Sequence, residues 1–246
     1  MRAVSIVGYK NSGKSSLAAL LAGVLERRGL KVAIAKHAHS GLDKPDTDSA
    51  RLRAPGRTVL ALAEGECAVF YGEKRYLADM LPLVQADMLL VEGGKELGWL
   101  PRILCLRAPG EAEADEREKL DRGLAFAAWG RRAASGLPYF PGEPGMQDEG
   151  LAALADLVQE KAFMLAGLDC AACGRENCAA LAAEIVAGRA GPEECTALRT
   201  EVEVCINGQP LGLNAFTARV VAGALRGMLR EMKGFAPGEV TLRMRV

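Results

Sequence analysis

Three groups of residues in this sequence combine side-chain types and spacings that could do chemistry. The first is the pattern G-x-x-x-x-G-K-S, which Gly8, Gly13, Lys14 and Ser15 form within the segment VSIVGYKNSGKSS. Glycines let the backbone turn tightly around a phosphate, a lysine ammonium at this position reaches the β- and γ-phosphates, and the serine hydroxyl suits Mg²⁺. The pattern therefore predicts a Walker A phosphate-binding loop.

The second group is a carboxylate at the end of an apolar run. Met88–Val91 are four apolar residues between Asp87 and Glu92, and two glycines follow. This pattern predicts a buried strand that ends at a turn. A carboxylate on such a strand holds Mg²⁺ or its water in P-loop proteins, and Glu92 is better placed for this than Asp87, which starts the strand. The alternative is an acid that only caps a turn.

The third group is a set of four thiols separated by two, four and sixteen residues: Cys170, Cys173, Cys178 and Cys195. Three close thiolates on a glycine-containing loop, followed by a helix and a fourth thiolate, can enclose an iron–sulfur cluster. The positive end of the predicted helix at 179–186 would face that anionic cluster. A Cys₄ zinc site usually has two C-x-x-C pairs, and this segment has one. Zinc and four inert buried thiols remain the alternatives.

Strands and helices around these groups would bring them to one edge of a sheet. A strand at 4–7 precedes the loop, and a helix with one apolar face follows it, with Leu17, Leu21 and Val24 on that face. A second strand at 31–35 should run parallel to the first. It would carry the Lys36–His39 segment to the edge at which α/β sheets bind ligands.

The polar segment at 40–56 is predicted to be a loop with a short helix starting near Ser49. A loop of this length in a compact domain is typically functional or disordered. Its charged side chains could meet magnesium and phosphate, and the alternative is a solvated surface loop. These side chains are Asp43, Asp46, Asp48, Arg51 and Arg53.

The remaining elements follow from local patterns. We predict a hairpin of strands at 58–63 and 67–71, helices at 77–84 and 149–165, strands at 103–106 and 124–129, and a solvated charged helix or loop at 111–122. The segment LPYFP at 137–141 and a Gly/Pro-rich turn precede the second helix. The tail is predicted as a strand at 202–206, a turn at 207–208, a helix at 214–232 and a strand at 240–245. Its methionine stripe is typical of a core, with a partner surface as the alternative. Cys67, Cys105 and Cys205 are also predicted to be core residues, and for Cys205 the alternative is a fifth thiol near the cluster.

Composition limits the function classes. The chain has 246 residues and a formal net charge of zero, which argues against a nucleic-acid partner and against an anionic membrane surface. It contains no run of 18 apolar residues, and a strand begins near its first residue, so we expect a cytoplasmic protein. Seven cysteines would be unusual as disulfides in that compartment.

Four motifs in order over residues 1–165 make this sequence resemble the family of molybdopterin-guanine dinucleotide biosynthesis protein B (MobB). They are VGYKNSGKSS, KHAHSGLD, DTDSARLRAPG and ADMLLVEGGK followed by LPRI. The resemblance implies a GTP-binding, weakly hydrolysing P-loop protein that works with the guanylyltransferase MobA to attach GMP to molybdopterin. It also allows molybdopterin or a molybdoenzyme as a further partner, and it allows a homodimer.

Carried onto this sequence, the resemblance implies roles for individual residues. Lys14, Asp48 and Glu92 are the catalytic candidates, and Ser15, Asp48 and Glu92 are the candidate Mg²⁺ ligands. The implied nucleotide-binding residues are Gly8, Lys10, Asn11, Ser12, Gly13, Lys14, Ser15, Ser16, His37, Ser49, Arg51 and Gly93.

Residues 168–195 are similar to the four-cysteine module of electron-transfer proteins such as the Rnf complex B subunit, which implies a [4Fe–4S] cluster. We therefore expect an α/β fold of the P-loop NTPase type, with a mostly parallel sheet flanked by helices over residues 1–166. A small cysteine-rich module at 167–200 and a small α+β segment at 201–246 would follow.

The function expected is that of an accessory protein in molybdenum or tungsten cofactor biosynthesis. Two alternatives remain: a redox-sensing or electron-transfer nucleotide switch, and a P-loop metallochaperone that uses His37, His39 and the cysteines.

Overall fold

The computed structural model describes residues 1–38, 41–44, 46–108, 115–142, 147–198, 202, 204–206, 209–211, 213, 215–234 and 240–241. Three predicted features lie wholly or mostly outside these residues: His39, the turn at 207–208 and the strand at 240–245.

A six-stranded parallel sheet forms the centre of the molecule, and its order is β2-β5-β1-β6-β7-β8. Two separate antiparallel hairpins pair β3 with β4 and β9 with β10. The strands are β1 (Arg2–Gly8), β2 (Val32–Lys36), β3 (Val59–Leu62), β4 (Cys67–Phe70), β5 (Met88–Glu92), β6 (Arg102–Leu106), β7 (Ala125–Gly130), β8 (Tyr139–Pro141), β9 (Val204–Ile206) and β10 (Gln209–Leu211).

Helices cover the sheet and extend into the C-terminal part. They are α1 (Lys14–Arg27), α2 (Asp48–Leu52), α3 (Leu77–Met80), α4 (Glu116–Asp121), α5 (Gln147–Lys161), α6 (Cys178–Val186) and α7 (Ala215–Arg230), with 3₁₀ turns at Leu81–Leu83, Pro192–Glu194 and Thr196–Leu198. Buried side chains of α1 and α5 pack together over the sheet, including Leu21, Leu25 and Val158. Removing these apolar surfaces from water is the main force that holds this layer on the strands.

The predicted fold class is confirmed: a mostly parallel sheet is flanked by helices, and a cysteine-rich segment follows. The strands β1 and β2 are parallel, as expected, and β5 lies between them. Two short strands were not predicted. Tyr139–Pro141 form β8, which pairs with β7, and Gln209–Leu211 form β10, which pairs with β9. Pairing with a neighbouring strand, and not local composition, places both segments in strands.

The helix predicted to reach residue 165 ends earlier, at Lys161. Phe163 and Leu165 are buried beside the cysteine segment, and the Leu165 amide donates a hydrogen bond to the Trp99 carbonyl at 3.2 Å. These two side chains pack in a second apolar cluster, separate from the one that α5 covers.

Several burial predictions also need correction. Cys105 is buried, as predicted, but Cys67 and Cys205 are exposed. The apolar residues of α7 that were predicted to be core are largely exposed, as Phe216 and Met228 show. Within the predicted solvated stretch at 111–122, Glu116 of α4 is fully buried, because Arg107 and Arg132 both pair with its carboxylate. In the described part of the chain, no helix is both long and apolar enough to cross a membrane.

Candidate functional site

The loop between β1 and α1 has a shape that only glycine allows at two positions. A Cβ added to Gly8 would lie 2.4 Å from the Cys105 carbonyl oxygen and 2.4 Å from Ser12 Oγ. Gly13 has φ of +85°, and a Cβ there would lie 2.8 Å from the Trp129 ring. The two glycines of the motif are thus required by close approach and by backbone conformation.

The same loop presents donors that suit an anion. Because α1 begins at Lys14, the amides of its first turn have no intrahelical acceptor, and within the described residues no side chain caps this end. Ser12 adds a buried hydroxyl with no hydrogen-bond partner among those residues. Uncapped amides at the positive end of a helix are a common phosphate site in proteins.

Lys14 lies inside this loop rather than in solvent. Its Nζ donates a hydrogen bond to the Tyr9 carbonyl oxygen at 2.6 Å. Burial lowers the pKa of Lys14, and the nearby Glu92 carboxylate opposes that shift. An ammonium group in this position is partly desolvated, so a phosphate oxygen would gain a strong charge-assisted hydrogen bond from it.

Ser15 and Glu92 meet at the edge of the sheet. The Ser15 hydroxyl donates to Glu92 Oε1 at 2.9 Å, and Lys36 Nζ contacts Glu92 Oε2 at 2.7 Å and Ser15 Oγ at 3.2 Å. Burial alone would raise the pKa of Glu92, but the hydrogen bonds from Lys36 and Ser15 outweigh it, so the pKa is lowered. The carboxylate is therefore ionised at neutral pH, and with the Ser15 hydroxyl it offers the oxygen ligands that Mg²⁺ prefers.

Lys36 is a site residue that sequence reasoning missed. In the sheet, Glu92 of β5 lies opposite Ile6 of β1 on one side and opposite Lys36 of β2 on the other. The sequence did place Lys36 at the end of a strand, but the pairing of β2 with β5 was needed to put it beside Glu92. Cys105 is a core residue, as predicted, and it also lies directly under this loop, next to Gly8. Burial raises the pKa of its thiol to about 12.

The segment after β2 is organised by Asp43, not by Asp48. Asp43 accepts hydrogen bonds from Ser49 at 2.8 Å and from Thr47 at 3.0 Å, and it pairs with Arg53 at 3.3 Å. The Ser49 hydrogen bond is the main cause of the lowered pKa of Asp43. The Asp48 side chain is 94% exposed and pairs with Arg51 of its own helix at 3.4 Å.

The other predicted binding residues divide into two groups. His37 and Gly93 lie together beside Glu92: the His37 amide donates to the Glu92 carbonyl, and a Cβ on Gly93 would lie 3.1 Å from His37 Cβ. Lys10, Asn11 and Ser16 are exposed around the loop, with Asn11 in the left-handed region at φ of +64°. The structure thus brings Ser15, Glu92, His37 and Gly93 together, and it leaves Asp48 and Arg51 facing solvent. The roles of all these residues stay predictions.

The four cysteines of the C-terminal segment line one apolar cavity, together with Ala166, Leu168, Leu181 and Thr196. Within the described part of the chain, no three His, Cys, Asp or Glu side chains are arranged to hold a single metal ion. The Thr196 hydroxyl is buried and lacks a hydrogen-bond partner there. Four thiols and one orphaned donor around a single cavity fit a group that carries several acceptor sulfurs.

Four local interactions hold the segments that carry these thiols. The Cys178 amide donates to Asp169 Oδ1 at 2.8 Å, and Asn177 caps α6 by accepting from the Ala180 amide at 2.9 Å. Arg175 pairs with Glu184 of α6 and, at 2.7 Å, with Glu194 in the turn before Cys195. Burial raises the pKa of Cys178, so its thiolate would form together with a bound cation.

Comparison with known proteins decides the family of this chain. The family model described as "Molybdopterin guanine dinucleotide synthesis protein B" matches residues 3–129, which are 127 of the 246 residues. The chain belongs to the MobB family. The resemblance drawn from its motifs is confirmed. In this MobB-family protein, a second model, described as "Putative Fe-S cluster", matches residues 165–197.

Two curated relatives agree with this family. A protein of Methanocaldococcus jannaschii named "Putative molybdopterin-guanine dinucleotide biosynthesis adapter protein" is 25% identical over 95% of this chain and 93% of its own length. The "Molybdopterin-guanine dinucleotide biosynthesis adapter protein" of Haemophilus influenzae is 33% identical over 42% of this chain. That match covers 62% of the Haemophilus protein, less than two thirds of its length.

Solved MobB structures are also similar to this MobB-family chain. The Bacillus subtilis MobB structure covers 65% of the chain and 97% of its own length, with 21% identity and a TM-score of 0.49. The structure of the MobB homologue from Bacillus stearothermophilus covers 65% of the chain and 99% of its own length, with 22% identity and a TM-score of 0.45.

Proposed function

We propose that this protein is a GTP-binding adapter in molybdopterin-guanine dinucleotide biosynthesis that carries an iron–sulfur cluster. The observation that carries the nucleotide part is the Ser15–Glu92 hydrogen bond beside the uncapped start of α1. It joins an anion-binding backbone to the two oxygen groups that a nucleotide-bound Mg²⁺ needs. The names of the curated relatives support the pathway.

In this proposal each residue of the loop has a defined task. The backbone amides from Gly13 to Ser16 and the Lys14 ammonium bind the β- and γ-phosphates. Ser15 and Glu92 would hold Mg²⁺, which neutralises phosphate charge when bound. We expect hydrolysis of GTP to be slow, because the sequence assigns no residue as a catalytic base or an arginine finger. The partner we propose is a guanylyltransferase similar to MobA, in the cytoplasm.

Nucleotide binding by anaerobically purified protein tests this function. We expect GTP to bind with Mg²⁺ and more weakly with EDTA, ATP to bind less tightly than GTP, and GTP to be hydrolysed slowly. Addition of the protein should stimulate guanylyl transfer to molybdopterin by a MobA-like enzyme. Absence of GTP binding by folded protein would refute the nucleotide part, and absence of stimulation would refute the pathway part.

For the cluster we propose a [4Fe–4S] group held by Cys170, Cys173, Cys178 and Cys195, which would supply a one-electron redox centre. The shared cavity and the buried Thr196 hydroxyl support it. Iron and acid-labile sulfide analysis should give about four of each per chain, with absorption at about 400 nm. Stoichiometric zinc without sulfide would instead support a structural Cys₄ zinc site.

A second candidate function, a redox-linked nucleotide switch, is favoured by the loop that leaves Glu92. Six residues after Glu92, Gly98 packs against the cysteine module: a Cβ on Gly98 would lie 2.7 Å from Ala179 of α6. The Trp99 carbonyl accepts from Leu165, and a Cβ on Gly167 would lie 3.1 Å from the Trp99 ring. Arg102 fixes the middle of the loop by donating to the Lys95 and Leu97 carbonyls.

Affinity measured against redox state tests this second candidate. If the loop couples the two sites, GTP affinity should differ between oxidised and dithionite-reduced protein, and GTP should shift the reduction potential by the equivalent free energy. Gly98→Val would disturb the Ala179 contact and should reduce that difference, whereas Gly65→Val in the β3–β4 turn should not. Equal affinity in both redox states would refute the switch.

A further inference from the structure

We propose that Lys36 is a built-in competitor for the divalent cation of the nucleotide site, so that the metal binds tightly only together with a nucleotide. The inference rests on the proposed function, since it concerns the cation that accompanies GTP. It adds a positioning residue that lies outside the glycine-rich loop motif.

The geometry of Lys36 is that of a substitute cation. Its ammonium lies 2.7 Å from Glu92 Oε2 and 3.2 Å from Ser15 Oγ, and these are the two groups that would hold Mg²⁺. The Ser15 hydroxyl is itself 2.9 Å from the other carboxylate oxygen. Magnesium binds oxygen at about 2.0–2.1 Å and requires near-octahedral geometry. Lys36 and Mg²⁺ therefore cannot both contact Ser15 and Glu92 in this arrangement.

Burial explains why a cation is needed here when no nucleotide is bound. The Glu92 side chain is only 11% exposed, and an ionised carboxylate at that depth is unfavourable unless a positive group pairs with it. Lys14 does not make that contact, because its ammonium is bonded to the Tyr9 carbonyl. The register of β2 against β5 places Lys36 directly opposite Glu92, where it supplies the missing charge.

Lys36 can also leave this position at small cost. Its side chain is 55% exposed, so its four-carbon stem can turn to solvent or to a phosphate oxygen at the same sheet edge without unpacking the core. Nucleotide phosphates would supply further ligands to the metal and so favour the exchange. The expected consequence is positive coupling: nucleotide raises metal affinity, and metal raises nucleotide affinity by the same factor.

Mn²⁺ binding measured by EPR tests this proposal, with Mn²⁺ standing in for Mg²⁺. Nucleotide-free Lys36→Met should bind Mn²⁺ at least about tenfold more tightly than the wild type, because the competing ammonium is gone while the aliphatic stem remains. Lys36→Arg keeps the charge and should stay close to the wild type. Lys31→Met is the matched control, because Lys31 is also exposed but lies just before β2, at the opposite end of the strand from Lys36. The double variant Lys36→Met/Glu92→Gln should not bind Mn²⁺ more tightly than the wild type, because it also lacks the carboxylate ligand.

The possible outcomes distinguish a failure of this proposal from a failure of the proposed function on which it rests. If GTP and Mg²⁺ bind normally but Lys36→Met leaves nucleotide-free Mn²⁺ affinity unchanged, Lys36 is not a competitor and the proposed function stands. If folded wild-type protein binds no GTP, the proposed function fails first. Thermal melting followed by circular dichroism verifies the fold of each variant, and Lys36→Gln provides a second uncharged variant for which the same tightening is expected.

Discussion

Ser15 Oγ donates a hydrogen bond to Glu92 Oε1 at 2.9 Å, although the two residues are 77 positions apart in the chain. The contact exists because β5 pairs in parallel with β1, which places the end of β5 beside the loop that follows β1. The sequence named both residues as candidate Mg²⁺ ligands, and the fold brings them into direct contact. The following predictions depend on this edge of the sheet and on the segments attached to it.

Replacing Lys14 with alanine should weaken GTP binding by about tenfold to a hundredfold, because a charge-assisted hydrogen bond to phosphate is lost. Stability should change little, since burial already disfavours the charged form of this lysine. Titration with a fluorescent GTP analogue measures the affinity. The control is Lys31→Ala, whose exposed side chain lies outside the loop. Unchanged GTP affinity in a folded Lys14→Ala protein would mean that the phosphates bind elsewhere.

Glu92→Gln should flatten the acid side of the stability profile. The pKa of Glu92 is below its ordinary value of 4.5 in the folded protein, so its ionised form stabilises the fold above that value. This contribution is lost as the pH falls through the lower, folded pKa. At neutral pH we expect the substitution to lower the free energy of unfolding by about 1–2 kcal/mol.

Urea denaturation from about pH 6 down to about pH 3 measures the Glu92 contribution. The matched control is Glu66→Gln, in the exposed turn between β3 and β4, which should keep the wild-type pH dependence. Parallel profiles for wild type and Glu92→Gln would show that the ion pair with Lys36 adds nothing to folding.

Thiol labelling should distinguish three classes of cysteine. Under anaerobic conditions iodoacetamide should modify the two exposed thiols, Cys67 and Cys205. If the proposed cluster is bound, its removal with a chelator should add the four thiols that line the C-terminal cavity. Cys105 should stay unmodified in the folded protein, because it is buried and its pKa is raised to about 12. Mass spectrometry counts the modified sites, and labelling of the cavity thiols before chelation would contradict a bound cluster.

Arg102→Met should destabilise the protein by about 2–4 kcal/mol, because it leaves the buried Leu120 carbonyl and two partly buried carbonyls without their donor. The Arg102 guanidinium is fully buried and donates to the Leu120 and Lys95 carbonyls, both at 2.7 Å, and to Leu97. Burial lowers its pKa to about 10, so it is still protonated at neutral pH. Urea denaturation measures the loss.

The control for Arg102 is Arg57→Met, whose guanidinium donates to the Leu52 carbonyl at the surface. Exposed substitutions of this kind usually change stability by less than about 0.5 kcal/mol. Similar losses for the two variants would mean that the carbonyls near Arg102 find other donors.

The sequence alone determined the parts of this protein that depend on local pattern. The glycines, lysine and serine of the loop, the strand that ends at Glu92, and the four-thiol segment are each encoded within a few neighbouring residues. Alternation and helical periodicity also gave most strands and helices, because those patterns reflect which face of an element is buried.

Only the tertiary structure decided which distant groups meet. Strand order put Lys36 beside Glu92 and buried Cys105 under the loop between β1 and α1. The fold also directed the contacts of Asp43 to its own loop and left Asp48 facing solvent. Long-range contacts also explain why β8 was not predicted and why the burial of Glu116 was predicted wrongly. The apolar face of α7 is exposed because no other described segment covers it. Local propensity carries no information about such long-range pairing, because the energy comes from packing and ion pairs that form only in the folded chain.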